Sequence, residues 1–84
     1  MSSDTYSLYR LRVTTDADPG SLARVLERFQ NLNVLPRRVI AEHSSEDQLH
    51  IRIDVGGLSE EMMCLIAGKV AQTVCVLDAH WHRI

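Results

Sequence analysis

Apolar and polar residues alternate along the first ordered segment of the chain. Within residues 6–15 every second residue is apolar, namely Tyr9, Leu11 and Val13. The residues between them are polar, namely Arg10, Arg12 and Thr14. A period of two predicts a β-strand with one face buried and the other in solvent.

The spacing then changes to that of a helix. The apolar residues recur at i, i+3, i+4 and i+7, namely Leu22, Val25, Leu26 and Phe29. We expect a helix from about Pro19 to about Leu32, with Pro19 at the first helical position and Asp18 as the N-cap. Burying each apolar side chain of this stripe stabilises the fold by about 1.5–3 kcal/mol.

A hairpin is predicted next. The segment from Val34 to about Ser44 alternates imperfectly, and Pro36 cannot donate a ladder hydrogen bond, so this strand should lie at a sheet edge or begin with a bulge. A polar turn at residues 44–47 leads into a cleanly alternating strand from Gln48 to Val55.

The last third of the chain predicts a helix and a strand. Two glycines at 56 and 57 end the preceding strand, and Ser59 is placed to cap a helix. The apolar stripe of this helix is expected to be Met62, Leu65, Ile66 and Val70. A fourth strand follows from Val74 to about His82.

The resulting order, β-α-β-β-α-β, predicts an α+β fold of the ferredoxin-like class. Right-handed crossovers place two helices on one face of a four-stranded antiparallel sheet. We expect a single domain over residues 6–82, preceded by a short disordered lead at residues 1–5.

Composition narrows the function. The chain has 84 residues and a net charge of −2, without a block of basic residues, so a nucleic-acid partner is not indicated. No apolar run reaches membrane-spanning length and no signal-peptide pattern opens the chain, so we expect a cytoplasmic protein without a membrane partner. Cys64 and Cys75 lie in apolar segments and are expected to be buried, reduced thiols.

The loop before the first helix has the chemistry of a carboxylate-binding site. Gly20 has no side chain, so another molecule can approach its backbone closely. The first turn of a helix presents unpaired N–H groups at the positive end of the helix dipole. The same run is also consistent with a well-formed helix start that binds nothing.

The run from Asp18 to Leu26, with Asn33 and Val34 after the helix, resembles the ACT domain family. Within that family it is most similar to the small regulatory subunit of acetolactate (acetohydroxyacid) synthase, which has a comparable Pro-Gly-x-Leu-x-Arg-Val run. The resemblance implies a non-catalytic module without a cofactor, which binds a small amino acid, forms a homodimer and associates with the catalytic subunit of a biosynthetic enzyme.

The resemblance also implies where the ligand binds, between the loop of one copy and the start of the second strand of its partner. The loop residues are Asp16, Asp18, Gly20, Ser21 and Leu22. The residues on the other side are Asn33, Val34 and Leu35. Ala17 stands where the family usually has Asp or Asn, so Asp16 or Asp18 would replace that side chain.

Other functions are less well supported. His80 and His82 share a strand face, and with His43 or His50 they offer nitrogen ligands for a metal, although solvated strand histidines are the more ordinary interpretation. RNA binding on the sheet needs exposed aromatic residues, and only Tyr6 qualifies. No catalytic motif is found. The alternative from a different class is a structural subunit that stabilises a partner enzyme without binding a ligand.

Overall fold

The four strands form one antiparallel sheet with two helices packed on one face. The computed structural model describes residues 7–84. The elements are β1 (Leu8–Asp16), α1 (Ser21–Asn31), β2 (Arg38–His43), β3 (Gln48–Gly56), α2 (Glu60–Ala71) and β4 (Val76–Arg83). The strand order is β2-β3-β1-β4, which confirms the predicted ferredoxin-like topology. The predicted lead at residues 1–5 and Tyr6 lie outside the described residues.

The core lies between the helices and the two central strands. The predicted alternation is confirmed in β1, where Tyr9, Leu11 and Val13 are buried. The same parity holds in β3, where the buried apolar residues are Ile51, Ile53 and Val55. Because β1 and β3 pair with Leu11 opposite Ile53, the two apolar rows meet on the face that the helices cover.

The apolar stripe of α2 differs from the prediction. Its buried residues are Met63, Ile66 and Val70, whereas Leu65 is 45% exposed. The helix is apolar over most of its middle, so the sequence period leaves its rotation about the axis undetermined. Docking on the sheet decides that rotation, and Cys64 consequently points outward and is exposed, contrary to expectation. Cys75 is buried, as predicted.

The two helix starts behave differently. Ser59 caps α2 as predicted, and its hydroxyl accepts the N–H of Met62 at 3.1 Å. The predicted N-cap of α1 is wrong, because the helix begins at Ser21 and Gly20 occupies the cap position. The carbonyl of Asp18 accepts the Ser21 N–H at 2.9 Å, so residues 18–21 form a turn that delays the helix.

The end of α1 explains why β2 starts later than predicted. Asn33 has a φ of 57°, and the N–H groups of Asn33 and Val34 bond back to the carbonyls of Gln30 and Phe29. This Schellman arrangement ends the helix and holds Val34 against it. The predicted strand start at Val34 is therefore wrong, and β2 begins at Arg38.

The start of β4 also differs from the prediction. Val74 was expected to open the strand, but it is 97% exposed and β4 begins at Val76. The Val76 N–H bonds to the Thr73 carbonyl, so residues 73–76 make a turn. The strand starts only when that turn is complete.

A carboxylate–guanidinium pair lies on the face of the sheet opposite the helices. Arg10 donates to Asp54 through Nε at 2.8 Å and through Nη2 at 3.1 Å. The Asp54 side chain is only 12% exposed, although the alternation predicted an outward-facing residue. The hydrogen bonds from Arg10 lower the pKa of Asp54 below its ordinary value, with a smaller contribution from the charges of nearby arginines.

We predict that Asp54→Asn removes a pH-dependent part of the stability. A carboxyl group whose pKa is lowered in the folded state stabilises the fold above its unfolded pKa, and this contribution is lost as the pH falls through the folded value. The difference in unfolding free energy between wild type and variant should therefore be present at pH 7. It should shrink as the pH falls below about 4, the ordinary pKa of aspartate.

Urea unfolding at pH 7 and in acid measures this difference. Glu42→Gln is the matched control, because Glu42 is an exposed carboxylate in β2 and its register position puts it on the same sheet face. An equal pH-dependent loss in both variants would contradict a specific role for Asp54.

Candidate functional site

The loop between β1 and α1 is held by backbone hydrogen bonds to two distant turns. The Asp16 N–H donates to the Cys75 carbonyl and the Ala17 N–H donates to the Asp47 carbonyl, both at 3.0 Å. The buried Ser21 hydroxyl donates to the Asp16 carbonyl at 2.8 Å. The Ser21 hydroxyl therefore stabilises the loop, and its hydrogen is already donated to the Asp16 carbonyl.

Asp18 binds the loop internally. Its carboxylate accepts the Gly20 N–H at 2.8 Å and lies 3.8 Å from Nη1 of Arg24. Within the described chain, the N–H groups of Leu22 and Ala23 have no backbone acceptor. These two groups and the dipole of α1 are the donors that remain for an anion.

Gly20 is not required by the backbone conformation. Its φ is −85°, which any residue can adopt. A Cβ at this position would lie 3.2 Å from Nη1 of Arg24 and 3.3 Å from the Asp18 carboxylate, both on movable side chains. A side chain at Gly20 would therefore require small shifts of Arg24 and Asp18, and no backbone strain.

The other group of predicted residues lies after the end of α1 and borders a groove that runs along this helix from Ala23 to Gln30. This open groove of about 690 Å³ lies between α1 and the segment that leads into β2. Asn33, Val34 and Leu35 all line it, and Leu35 is 88% exposed. The remaining lining residues are Ala23, Leu26, Glu27, Phe29, Gln30, Pro36 and Val39.

A single chain does not bring the two groups together. The loop precedes α1 and the groove residues follow it, and a helix of 11 residues spans about 16 Å. None of Asp16, Asp18, Gly20, Ser21 or Leu22 lines the groove. The two predicted groups are therefore separate candidate half-sites within one chain.

The edge strand β2 lies beside the groove, which confirms its predicted edge position. The Ser44 N–H bonds to the Gln48 carbonyl, so antiparallel alternation makes the even-numbered residues of β2 the ones paired with β3. The backbone groups of Val39, Ala41 and His43 then point to the open edge. Such an edge can accept another strand.

Sequence reasoning missed most of the groove. The groove combines Leu26 and Phe29 of α1 with Pro36 and Val39 from the segment that leads into and begins β2. No single helical or strand period relates these four positions. The sequence feature that could have indicated this groove is the apolar segment at residues 34–36, between the end of α1 and the start of β2.

The histidines do not form a metal cluster. Among residues 7–84, no group of three or more His, Cys, Asp or Glu side chains is arranged to hold a metal ion. His80 instead lies with Nδ1 3.3 Å from a carboxylate oxygen of Asp78. No helix in the described part of the chain is long and apolar enough to cross a membrane.

Comparisons with known proteins point to one family. Residues 2–84 match the family model described as an ACT-like domain. The fold is similar to the ACT domain of GTP pyrophosphokinase from Chlorobium tepidum, with a TM-score of 0.79 and 9% identity, over 93% of this chain and 100% of that one. No curated protein matches the chain.

Two further solved structures share the fold. The C-terminal domain of the MgtC protein from Mycobacterium tuberculosis has a TM-score of 0.75 and 12% identity, over 100% of this chain and 94% of that one. The ligand-free regulatory subunit of aspartate kinase from Thermus thermophilus has a TM-score of 0.72 and 11% identity, over 94% of this chain and 52% of that one. At identities this low, the structural similarity establishes a shared fold and no shared function.

We predict that Asn33 is needed first for its backbone conformation. At a φ of 57°, Asn33→Ala should lower the free energy of unfolding by about 1 kcal/mol, since a Cβ is strained in the left-handed region. Asn33→Gly is the matched variant and should retain the stability, because glycine adopts this conformation without strain. Denaturant unfolding of both variants checks this, and equal losses would instead assign the stability to the amide side chain.

Proposed function

Because this chain belongs to the ACT-like domain family, we propose that it is a regulatory module that binds an amino acid between two copies of itself. The observation that supports this is the placement of two half-sites at opposite ends of α1, next to an open strand edge. Pairing of two β2 edges would extend the sheet to about twice its width. It would also cover the exposed apolar residues Leu35 and Val39.

The chemistry of the two half-sites suits the two ends of an amino acid. The free N–H groups of Leu22 and Ala23 suit a carboxylate. Asp16 is exposed and offers a negative charge to an ammonium group. The groove beside Val34 and Leu35 is mainly apolar and suits an aliphatic side chain, with the amide of Asn33 at its border.

The loop sequence supports a proposal for the ligand and the partner enzyme. The run from Pro19 to Val25 resembles that of the acetolactate synthase small subunit, so we propose that branched-chain amino acids are the ligands. The catalytic subunit of that enzyme, in the cytoplasm, would then be the partner. The chain itself would carry out no reaction.

A second candidate function is supported by Asp18. Its carboxylate already accepts the Gly20 N–H, and Ala17 lacks the polar side chain usual at that position. Both features suit a structural subunit that stabilises a partner enzyme and binds no ligand. A screen of amino acids for thermal stabilisation distinguishes the two functions, because only the regulatory module gains stability from a ligand.

We predict that dimerisation depends on the β2 edge. Val39→Lys places a charge on this edge and should give a monomer, since edge lysines oppose strand pairing. Leu77→Lys is the matched control, because Leu77 is also an exposed apolar residue, at 54% against 37% for Val39, but belongs to β4, at the other edge of the sheet. Sedimentation at tens of micromolar measures both masses. A dimer that is lost only with Leu77→Lys would assign the interface to β4.

We predict that Gly20→Ala abolishes the thermal stabilisation by amino acids while the domain remains folded. The added Cβ narrows the approach to the first turn of α1, and a ligand at 100 times its dissociation constant should otherwise add about 2.7 kcal/mol of stability. Gly68→Ala is the matched control, because its Cβ meets nothing within 4 Å. It should retain the ligand response.

Two outcomes would contradict this assignment. If Gly20→Ala responds to the ligand as the wild type does, the ligand binds elsewhere. If the wild-type protein responds to none of the twenty amino acids, the structural function is favoured.

A further inference from the structure

The sheet face opposite the helices, which we call the open face, carries a distinctive central row. The strand registers place four residues side by side across it, namely Ile40, Arg52, Arg12 and His80. The row contains two guanidinium groups on the two central strands and no carboxylate. The neighbouring row differs, because there Arg10 pairs with Asp54.

Arg12 and Arg52 face each other at close range. The Gly57 N–H bonds to the Ser7 carbonyl, so the odd-numbered residues of β1 form the hydrogen-bonded pairs with β3. Arg12 and Arg52 are therefore a non-hydrogen-bonded pair, with Cα atoms about 4.5 Å apart and side chains close together. Like charges directly opposite each other destabilise a sheet.

Arg52 also has a buried donor without an acceptor. Its Nε is shielded from solvent and has no hydrogen-bond partner among residues 7–84. Buried donors are normally paired, because an unpaired one loses its hydration without compensation. The charge of Arg52 acts on nearby Asp54, but the hydrogen bonds that the Asp54 carboxylate accepts from arginine side chains come from Nε and Nη2 of Arg10 and not from Arg52 Nε.

From this repulsive pair of half-buried arginines, we propose that the central row of the open face binds the phosphate group of a small phosphorylated molecule. Such a ligand reaches the shielded Nε of Arg52 only after that side chain moves. Guanidinium groups bind phosphate oxygens through two parallel hydrogen bonds, and a doubly negative phosphate neutralises both arginines. Thr14 in the next row offers a further polar contact at the border. His80 in the same row offers Nε2, since its Nδ1 lies 3.3 Å from the carboxylate of Asp78. The site lies on the opposite side of the sheet from the groove and does not depend on the amino-acid site.

Two other occupants fit the face less well. A second copy of this chain would bring the same arginine pair against its own, which repeats the repulsion. Single-stranded RNA would need large aromatic side chains for stacking, and the described residues place no Phe, Tyr or Trp on this face. A compact phosphate needs only the two arginines.

The test measures binding of inorganic phosphate and pyrophosphate by thermal unfolding and calorimetry, in a buffer whose ionic strength is held constant with sodium chloride. Pyrophosphate should raise the unfolding temperature of the wild type, and chloride should not. Arg12→Gln and Arg52→Gln should each weaken pyrophosphate binding by about tenfold or more, the loss expected for one charge-assisted hydrogen bond.

Arg38→Gln is the matched control. The substitution removes the same charge from the same face. Arg38, however, is exposed on the edge strand and lies opposite Asp54, outside the central row. Pyrophosphate affinity should fall less than in the Arg12 and Arg52 variants, because the exposed Arg38 lies one row away and opposite the carboxylate of Asp54. An equal loss in all three variants would show a diffuse charge effect and overturn the proposal, as would a wild type that does not bind pyrophosphate.

Two further measurements bear on the same proposal. Without phosphate, Arg12→Gln should unfold at the same or a higher temperature, because the repulsion is relieved; a lower temperature would overturn that argument. ADP should bind no tighter than pyrophosphate, since the described residues place no Phe, Tyr or Trp on this face to stack on the adenine. Preference for a single-stranded RNA over pyrophosphate would overturn the choice of a small phosphorylated molecule.

Discussion

The register of β1 between its two neighbours determines the rest of the structure. Leu11 lies opposite Ile53 of β3 on one side and opposite Trp81 of β4 on the other. Because side chains alternate between faces, a slip of one residue would exchange the buried and exposed sets. Such a slip would bring Arg10 and Arg12 into the core, where unpaired charges cannot be accommodated. The apolar row of β1 is thus compatible with only one pairing.

The same register gives the sheet two chemically different faces. On the helix side, α1 docks beside β2 and leaves a largely apolar groove open at the sheet edge. On the open face, residues of the four strands line up in rows, and in one row Asp54 pairs with Arg10. The two sites that we propose therefore arise from the alternation that builds the core, and neither requires an added segment.

The sequence predicted the features that local patterns control and missed those that docking controls. The alternation of β1 and β3 identified the buried rows, and Ser59 identified the start of α2. The predicted rotation of α2 about its axis was wrong. Apolar residues surround the middle of this helix, so only contact with the sheet determines that Met63 is buried and Leu65 is exposed. The delayed start of α1 was missed because Asp18 can cap a helix or form a turn, and its bonds within the loop decide between them.

The candidate site shows the same division. The loop and the residues after α1 were recognised by resemblance, and the structure places them at opposite ends of one helix. The groove between α1 and β2 could not be predicted, since it forms only when Leu26 and Phe29 pack near Pro36. The arginine pair was visible as two residues, but their apposition depends on the strand register.

The anchoring of the β1–α1 loop has a consequence for how a signal would leave it. Its backbone is joined through Asp16 to the carbonyl just before β4, and through Ala17 to the turn between β2 and β3. These two attachment points belong to opposite borders of the sheet. A ligand that displaces the loop must stretch or carry both hydrogen bonds with it. Motion at one small loop is thereby delivered to both borders at once, so an enzyme docked along either border would sense the same event.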